Sequence, residues 1–191
     1  AVVTLQRLSG EGADRTAADF NLSDTERQLL ENTAKAFHAK GKKMVVVLNV
    51  GGVIETESWK DIPDAILLPW QPGQEVGNSV AALLAGKLTP SGKLPMTWPV
   101  RYQDVASSAN FPSDASDYCV EGDQTKYKNR RNYGYTVYDE DIYVGYRYFD
   151  SFKKNVSYPF GYGLSYTTFA YGDVTAKVNG GKVTVSVTVT N

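Results

Sequence analysis

The sequence predicts an α/β fold for most of the chain, followed by a shorter segment of β-structure. Three observations carry this expectation: strand-like apolar runs alternate with helical patterns over residues 1–98, glycine-containing loops follow those runs, and the chain closes on strictly alternating valines. Strands and helices in alternation are typical of a three-layer α/β sandwich. Residues 99–142, which are rich in Ser, Asp, Asn and Tyr, predict a long surface connection between the two parts.

An apolar run indicates the first strand, and a capping box indicates the first helix. Residues 1–6 form an apolar run typical of a buried strand, and a polar loop follows. Ser23 and Glu26 have the spacing of a capping box, which predicts that a helix begins there and continues to about Lys40. Gly41 suits the position just after that helix, where a left-handed backbone is favoured.

Two more strands and a second helix complete the predicted α/β part. Residues 43–50 form a continuous apolar run, as expected for a strand covered on both faces, and two glycines end it. Residues 64–70 predict the next strand. Apolar residues at helical spacing predict a helix over residues 74–85, which Gly86 closes. Ligands of open parallel sheets usually bind where such strands end in glycine-rich loops.

The last part of the chain predicts β-structure. Residues 168–177 and 182–190 read as strands, and Asn179-Gly180-Gly181 between them is a hairpin signal. The final strand alternates Val with Thr or Ser, which predicts a half-buried strand that pairs back onto residues 164–178. Both ends of the chain stop within an element, so we expect a segment of a longer protein.

Composition excludes several classes of function. The 191 residues carry a net charge of −1, so there is no basic surplus for nucleic acid or an anionic membrane, and no apolar run is long enough to span a bilayer. Cys119 and His38 are the only residues of their kinds, which argues against a metal cluster and a Ser-His-Asp triad. Chemistry is therefore expected from carboxylates, hydroxyls, lysines or arginines, without a cofactor.

The strongest candidate for chemistry is a glutamate between two glycines. Glu11 follows the first predicted strand in a loop that starts at Ser9 and ends at Arg15. Glycine lets the backbone present a carboxylate away from a sheet, although a solvated glutamate in a turn explains the same pattern. Glu75, at the next strand end, is more simply a residue of the first helical turn, and His38 a residue at a helix C-terminus.

The loop reads S-G-E-G-A-D-R and resembles the S-G-E-G-x-D-R segment of glycoside hydrolase family 3. Other blocks resemble the bacterial β-glucosidases of this family in the same order, at residues 43–49, 67–75, 90–95, 143–150 and 158–169. The resemblance covers nearly the whole chain. It implies that residues 1–150 belong to the α/β sandwich domain and residues 151–191 begin a fibronectin type III-like domain.

The resemblance also implies a mechanism and a missing partner. Family members of this type are retaining enzymes with two carboxyl groups, and Glu11 maps onto the general acid/base. Ser9, Asp14 and Arg15 are expected to hold the loop. By the same resemblance, the Asp nucleophile lies on a (β/α)8-type barrel domain that this chain lacks. Hydrolysis of a β-glucoside or oligosaccharide is therefore expected only with that domain, either as a separate chain or as another part of the same protein.

Two other functions stay open at this stage. One is a β-xylosidase or arabinofuranosidase of the same family, and the other is a non-catalytic carbohydrate-binding or interaction fragment. The tyrosines of residues 133–148 fit either an aglycone site or packing between domains. The compartment also stays open between the cytoplasm and secretion.

Overall fold

The computed structural model describes residues 1–8, 15–109 and 139–191. Its centre is a parallel three-stranded sheet in the order β1 (Val2–Arg7), β2 (Val45–Val50) and β3 (Ala65–Leu67). Val2 pairs with Val45 and Arg7 with Val50. The three strands therefore run in the same direction, and their carboxyl ends lie along one edge of the sheet.

Helix α1 (Asp24–His38) begins where the sequence predicts and ends two residues before the predicted Lys40. Ser23 Oγ accepts a hydrogen bond from the Glu26 N–H at 3.2 Å, and the Ser23 N–H donates to Glu26 Oε2 at 2.9 Å. At the other end, Gly41 has φ 63° and donates to the His38 carbonyl. The capping box confirms the predicted beginning of the helix, and Gly41 satisfies a carbonyl of the last turn from two positions beyond the C-cap Ala39.

The core forms where α1 packs on the sheet. Leu30 and Ala34 of α1 are buried together with Val3 and Leu5 of β1. Residues of β2, of the loops around it and of a short later strand belong to the same cluster: Met44, Val46, Leu48, Val50, Ile54, Trp59 and Trp98. Burial of large apolar side chains such as these contributes about 1.5–3 kcal/mol each to folding.

The third strand is shorter than the sequence predicts. The expected strand over residues 64–70 is wrong at its carboxyl end, because β3 stops at Leu67. Pro69 has no N–H to donate, and Trp70 adopts φ 60°, so neither continues a regular strand. Helix α2 (Val76–Leu84) lies within the predicted residues 74–85, and Gly86 follows it with φ 69°.

A small antiparallel pair joins the later chain to the core. In it, β4 (Trp98–Pro99) pairs with β5 (Val156–Tyr158), and a short helix α3 (Tyr146–Ser151) precedes β5. The sequence patterns did not predict α3, or β4 and its pairing with β5. Thr56 Oγ1 and Ser157 Oγ lie 2.8 Å apart in the interior, which fixes β5 to the loop after β2.

The predicted connection over residues 99–142 is only partly described. It contains two 3-10 turns, Tyr102–Asp104 and Ala106–Ala109. Residues 110–138, with Cys119 and the first part of the tyrosine-rich stretch, lie outside the described residues.

The end of the chain forms two antiparallel pairs. The hairpin of β7 (Thr175–Asn179) and β8 (Lys182–Ser186) turns at two glycines with φ 54° and 80°, as the sequence predicts. Strands β6 (Ala170–Tyr171) and β9 (Val189–Thr190) form the second pair. The expected half-burial of the last strand is wrong within this chain, since Val183 and Val185 are about 60% exposed and no described element covers them.

Within the parts of the chain described here, no helix has the length and apolar character needed to cross a membrane.

Candidate active site at the carboxyl edge of the sheet

Three loops leave the carboxyl edge of the parallel sheet. The chain leaves β1 after Arg7, which pairs with Val50 at the end of β2. It leaves β3 after Leu67, which pairs with Val47. Loops that leave such an edge are the usual place for ligands of open α/β sheets. The predicted acid/base loop is the first of them.

The core of that loop lies outside the described residues. Segment 9–14 contains Ser9, Glu11 and Asp14, so the roles expected for these three remain predictions. The structure describes what borders the segment on each side. Leu8 precedes it and is 81% exposed, whereas Arg15 follows it and is partly buried.

Arg7 fixes the chain just before the loop. Its Nε donates to the Asp19 carbonyl at 2.8 Å, and its Nη2 donates to the Asn21 carbonyl at 2.9 Å. The guanidinium also makes two bonds to the carboxylate of Glu26, at 2.6 and 3.0 Å. Burial raises the pKa of Glu26, but the hydrogen bonds from Arg7 and Ser23 outweigh it and hold the pKa below its ordinary value.

Sequence reasoning missed Arg7. The signal that could have identified it is a charged residue at the last position of a buried strand, directly before a glycine-rich loop. A guanidinium at such a position has five N–H donors with which to bind the carbonyls of a returning chain.

Arg15 fixes the chain just after the loop. Its Nη2 donates to the Val53 carbonyl at 3.0 Å, which joins this loop to the one that follows β2. Its Nη1 is buried and has no hydrogen-bond partner among the residues the structure describes. A buried guanidinium N–H is costly unless an acceptor binds it.

The segment that receives Arg15 is held by buried hydrogen bonds. Trp98 Nε1 donates to the Ile54 carbonyl, and Trp59 Nε1 donates to the Glu55 carbonyl at 2.6 Å. The Glu55 N–H donates to the Phe20 carbonyl at 2.7 Å. Both indoles are almost fully buried. The main chain after β2 is therefore a fixed support for the neighbouring loop.

The third loop presents an aromatic ring instead of a charged side chain. The rings of Trp70 and Trp98 lie 5.7 Å apart, so the loop after β3 packs against the core. Glu75, the second sequence candidate, was expected in the first turn of the helix, but it is exposed at the N-cap of α2, one position before that turn begins. Its Oε2 accepts a hydrogen bond from Asn78 Nδ2 at 2.6 Å.

His38 lies at the opposite edge of the sheet. It is the last residue of α1, as predicted, and its Nε2 lies 2.8 Å from Asp64 Oδ2. Lys43 Nζ contacts the other oxygen of Asp64 at 2.7 Å, and the Met44 N–H donates to Oδ2 at 2.8 Å. Hydrogen bonds from Lys43, Met44 and His38 lower the pKa of Asp64 well below its usual range.

A half-open cavity of about 500 Å³ lies between the start of α1 and the 3-10 turn at residues 102–104. Charged groups in its wall are already paired, since Arg27 Nη2 donates to Ser58 Oγ at 2.6 Å and the carboxylate of Glu55 accepts two bonds from Ser58. Over residues 1–8, 15–109 and 139–191, no group of three or more His, Cys, Asp and Glu side chains is arranged to hold a metal ion.

Comparison with known proteins identifies the family to which the chain belongs. Residues 1–166 match the family model described as the glycosyl hydrolase family 3 C-terminal domain. The structure of β-glucosidase 3B from Thermotoga neapolitana in complex with α-D-glucose superposes with a TM-score of 0.83 and 45% identity, over 98% of this chain and 24% of that one. The chain belongs to glycoside hydrolase family 3.

Curated relatives are similar over the same length. β-Glucosidase A of Butyrivibrio fibrisolvens is 35% identical over 93% of this chain and 22% of its own length. An exo-α-(1→6)-L-arabinopyranosidase of Bifidobacterium longum is also 35% identical, over 97% of this chain and 22% of its own length. The chain thus corresponds to a C-terminal part of such proteins and spans about a fifth of their length.

Proposed function

We propose that this chain is part of a retaining β-glucosidase that releases terminal non-reducing β-D-glucosyl residues by double displacement, and that Glu11 is its general acid/base. The observation that carries the proposal is that the chain is fixed on both sides of segment 9–14, which contains Glu11. Arg7 fixes the chain before this segment and Arg15 fixes it after, in a chain 45% identical to a structure described as a β-glucosidase.

Two carboxyl groups about 5 Å apart perform this reaction in retaining enzymes. The nucleophile, an Asp on a (β/α)8-type barrel domain outside this chain, attacks the anomeric carbon. Glu11 donates its proton to the departing glycosidic oxygen as the C–O bond breaks. In the second step Glu11 takes a proton from water, which displaces the carboxylate and restores both groups.

The proton donor must be protonated before the first step. A neighbouring carboxylate and partial burial both raise the pKa of a carboxyl group, so a barrel domain placed against this edge favours the protonated form of Glu11. Ser9, Asp14 and Arg15 would hold the loop in place without touching the breaking bond. Arg15 binds the Val53 carbonyl at 3.0 Å, which supports this role.

The proposed architecture has two units in this chain. The first is part of a three-layer α/β sandwich, and the second is the beginning of a fibronectin type III-like domain. Contacts favour a boundary at residue 166 over the one expected at residue 150. Tyr166 Oη still donates to the Leu83 carbonyl at 2.8 Å, and the Leu94 N–H donates to the Tyr162 carbonyl. Strands β6 to β9 pair only with one another in the described chain.

Specificity within the family is a second question. The arabinopyranosidase relative supports a pentose-specific alternative, such as a β-xylosidase or arabinofuranosidase. A panel of nitrophenyl glycosides assayed on the complete enzyme distinguishes these, and the proposal expects the β-glucoside to have the highest kcat/KM.

The replacement Glu11→Ala in the complete enzyme tests the proposed role. It should lower kcat with an activated aryl glucoside by about 10²–10⁴-fold, and azide should restore turnover because it attacks the glycosyl-enzyme without needing a general base. Full activity of Glu11→Ala would exclude this role and favour a fragment that only binds carbohydrate.

A further inference from the structure

We propose that Gly52 is a positioning residue for the acid/base loop, because it leaves the space in which the Arg15 guanidinium binds the main chain after β2. This inference rests on the function proposed for Glu11. It assigns to Gly52 a role in proton donation although the residue is too far along the chain to belong to the S-G-E-G motif.

The need for glycine at position 52 comes from a side chain and not from the backbone. An ideal Cβ at Gly52 would lie 3.1 Å from Arg15 Nη2 and 3.9 Å from its Cζ. The φ of Gly52 is outside the left-handed region, so an alanine would meet no conformational penalty there. Apart from Gly52 itself and its two chain neighbours, the only described atoms within 4 Å of such a Cβ belong to Arg15.

Arg15 has little freedom to move aside. Its Nη2 donates to the Val53 carbonyl at 3.0 Å, and its Nη1 is buried. A shift of a few tenths of an ångström lengthens the Val53 bond and displaces a buried cation, which weakens a charge-assisted hydrogen bond.

The supporting segment cannot yield in its place. The residues after Gly52 become fully buried, with Ile54 at 0% exposure. Their carbonyls accept hydrogen bonds from the indoles of Trp59 and Trp98. Because close-packed interiors transmit small displacements, a methyl group at position 52 would move the guanidinium and not the support.

Arg15 is also the first described residue after segment 9–14. A displacement of Arg15 therefore acts on the point where segment 9–14, which contains Glu11, rejoins the described chain. A proton donor that is misplaced by less than 1 Å loses part of its rate advantage while substrate binding stays intact.

The test compares two leaving groups in the complete enzyme. Proton donation matters for an alkyl glucoside, whose leaving group is a poor one, and matters little for 2,4-dinitrophenyl glucoside. We expect Gly52→Ala to lower kcat/KM about fivefold to tenfold for the alkyl glucoside and less than about twofold for the dinitrophenyl glucoside. Gly77→Ala is the matched control, since its Cβ would meet nothing within 4 Å, and it should change neither value.

A double-mutant cycle identifies the route of the effect. On an Arg15→Ala background, Gly52→Ala should cause no further loss, because the crowded atoms are gone. Equal losses with both substrates, or an undiminished loss on that background, would overturn the inference. If Gly52→Ala yields no soluble enzyme, Arg15→Lys gives the same readout. Its side chain is shorter and reaches the Val53 carbonyl less well, so it should also lower kcat/KM only for the alkyl glucoside.

Glu11→Ala separates this inference from the proposed function. An unimpaired Glu11→Ala enzyme would reject the proposed function. An inactive Glu11→Ala enzyme together with a Gly52→Ala enzyme equal to wild type would reject the positioning role alone.

Discussion

Arg7 Nη1 lies 2.6 Å from Glu26 Oε1, and Arg7 Nη2 lies 3.0 Å from Glu26 Oε2. The last residue of β1 is thus bound by two parallel bonds to the first turn of α1. Only 11% of the Arg7 side chain and 24% of the Glu26 side chain are exposed. Removing one partner of an ion pair this sheltered destabilises the fold, because the other partner is left as an unpaired charge.

The replacement Arg7→Met should destabilise the chain by about 2–4 kcal/mol, because it removes the positive partner of the Glu26 carboxylate and the donor to the carbonyls of Gln6, Asp19 and Asn21. Urea unfolding followed by tryptophan fluorescence measures the change. Arg101→Met is the matched control, since Arg101 is 72% exposed in its pair with Asp104, and its cost should stay within about 1 kcal/mol. An equal loss of unfolding free energy in the two variants would contradict the claim that the sheltered Arg7 pair matters more to stability than the exposed Arg101 pair.

Asp64 predicts a particular dependence of stability on pH. Hydrogen bonds from Lys43, Met44 and His38 lower its pKa from an ordinary value of 3.8. A carboxyl group with a lowered folded-state pKa stabilises the fold above that ordinary value, and the stabilisation is lost as the pH falls through the folded-state pKa. Asp64→Asn should therefore be less stable than wild type at pH 7, and the gap should narrow below pH 3.8.

Urea midpoints of wild type and Asp64→Asn at a series of pH values measure that gap. A gap that is absent at pH 7, or that widens as the pH falls, would show that Asp64 is not stabilised by its three neighbours.

Trp98→Phe should destabilise the core by about 1–3 kcal/mol. The phenyl ring keeps most of the buried apolar area but removes the N–H that binds the Ile54 carbonyl, and an unpaired buried carbonyl is costly. Phe152→Leu is a suitable control because Phe152 is half exposed, and its effect should stay within about 0.5 kcal/mol. Thermal unfolding of the two variants and of wild type measures both losses of stability. A loss for Trp98→Phe no larger than that for Phe152→Leu would contradict the prediction.

Truncation after residue 166 should leave the first unit intact. The three tryptophans all precede that residue, and Tyr166 makes the last hydrogen bond described between the two units, to the Leu83 carbonyl. Chains 1–166 and 1–191 should have the same urea midpoint by tryptophan fluorescence. A truncated chain that unfolds at a lower urea concentration would show that β6 to β9 support the α/β unit.

Local signals in the sequence predicted the elements that local physics determines. The capping box at Ser23, the positive φ of Gly41 and the hairpin at Gly180 and Gly181 were found where expected. Each of these depends on contacts between residues a few positions apart, and such contacts are visible in a linear pattern.

Long-range contacts could not be predicted in this way. The pairing of Trp98 with Tyr158 and the hydrogen bond from Trp98 to Ile54 join residues more than 40 positions apart, and a two-residue strand carries no periodicity. Arg7 was missed for the same reason, since its partners Asp19, Asn21 and Glu26 lie 12 to 19 positions further along the chain. The end of β3 was misplaced because the apolar run continues through Trp70, where the backbone turns to φ 60°.

The leaving-group dependence of Glu11→Gln in the complete enzyme tests the central claim most directly. If Glu11 is the proton donor, kcat/KM should fall at least about 100-fold for an alkyl β-glucoside and less than about tenfold for 2,4-dinitrophenyl β-glucoside, which departs without protonation. Equal losses with both substrates, or no loss with either, would contradict the account.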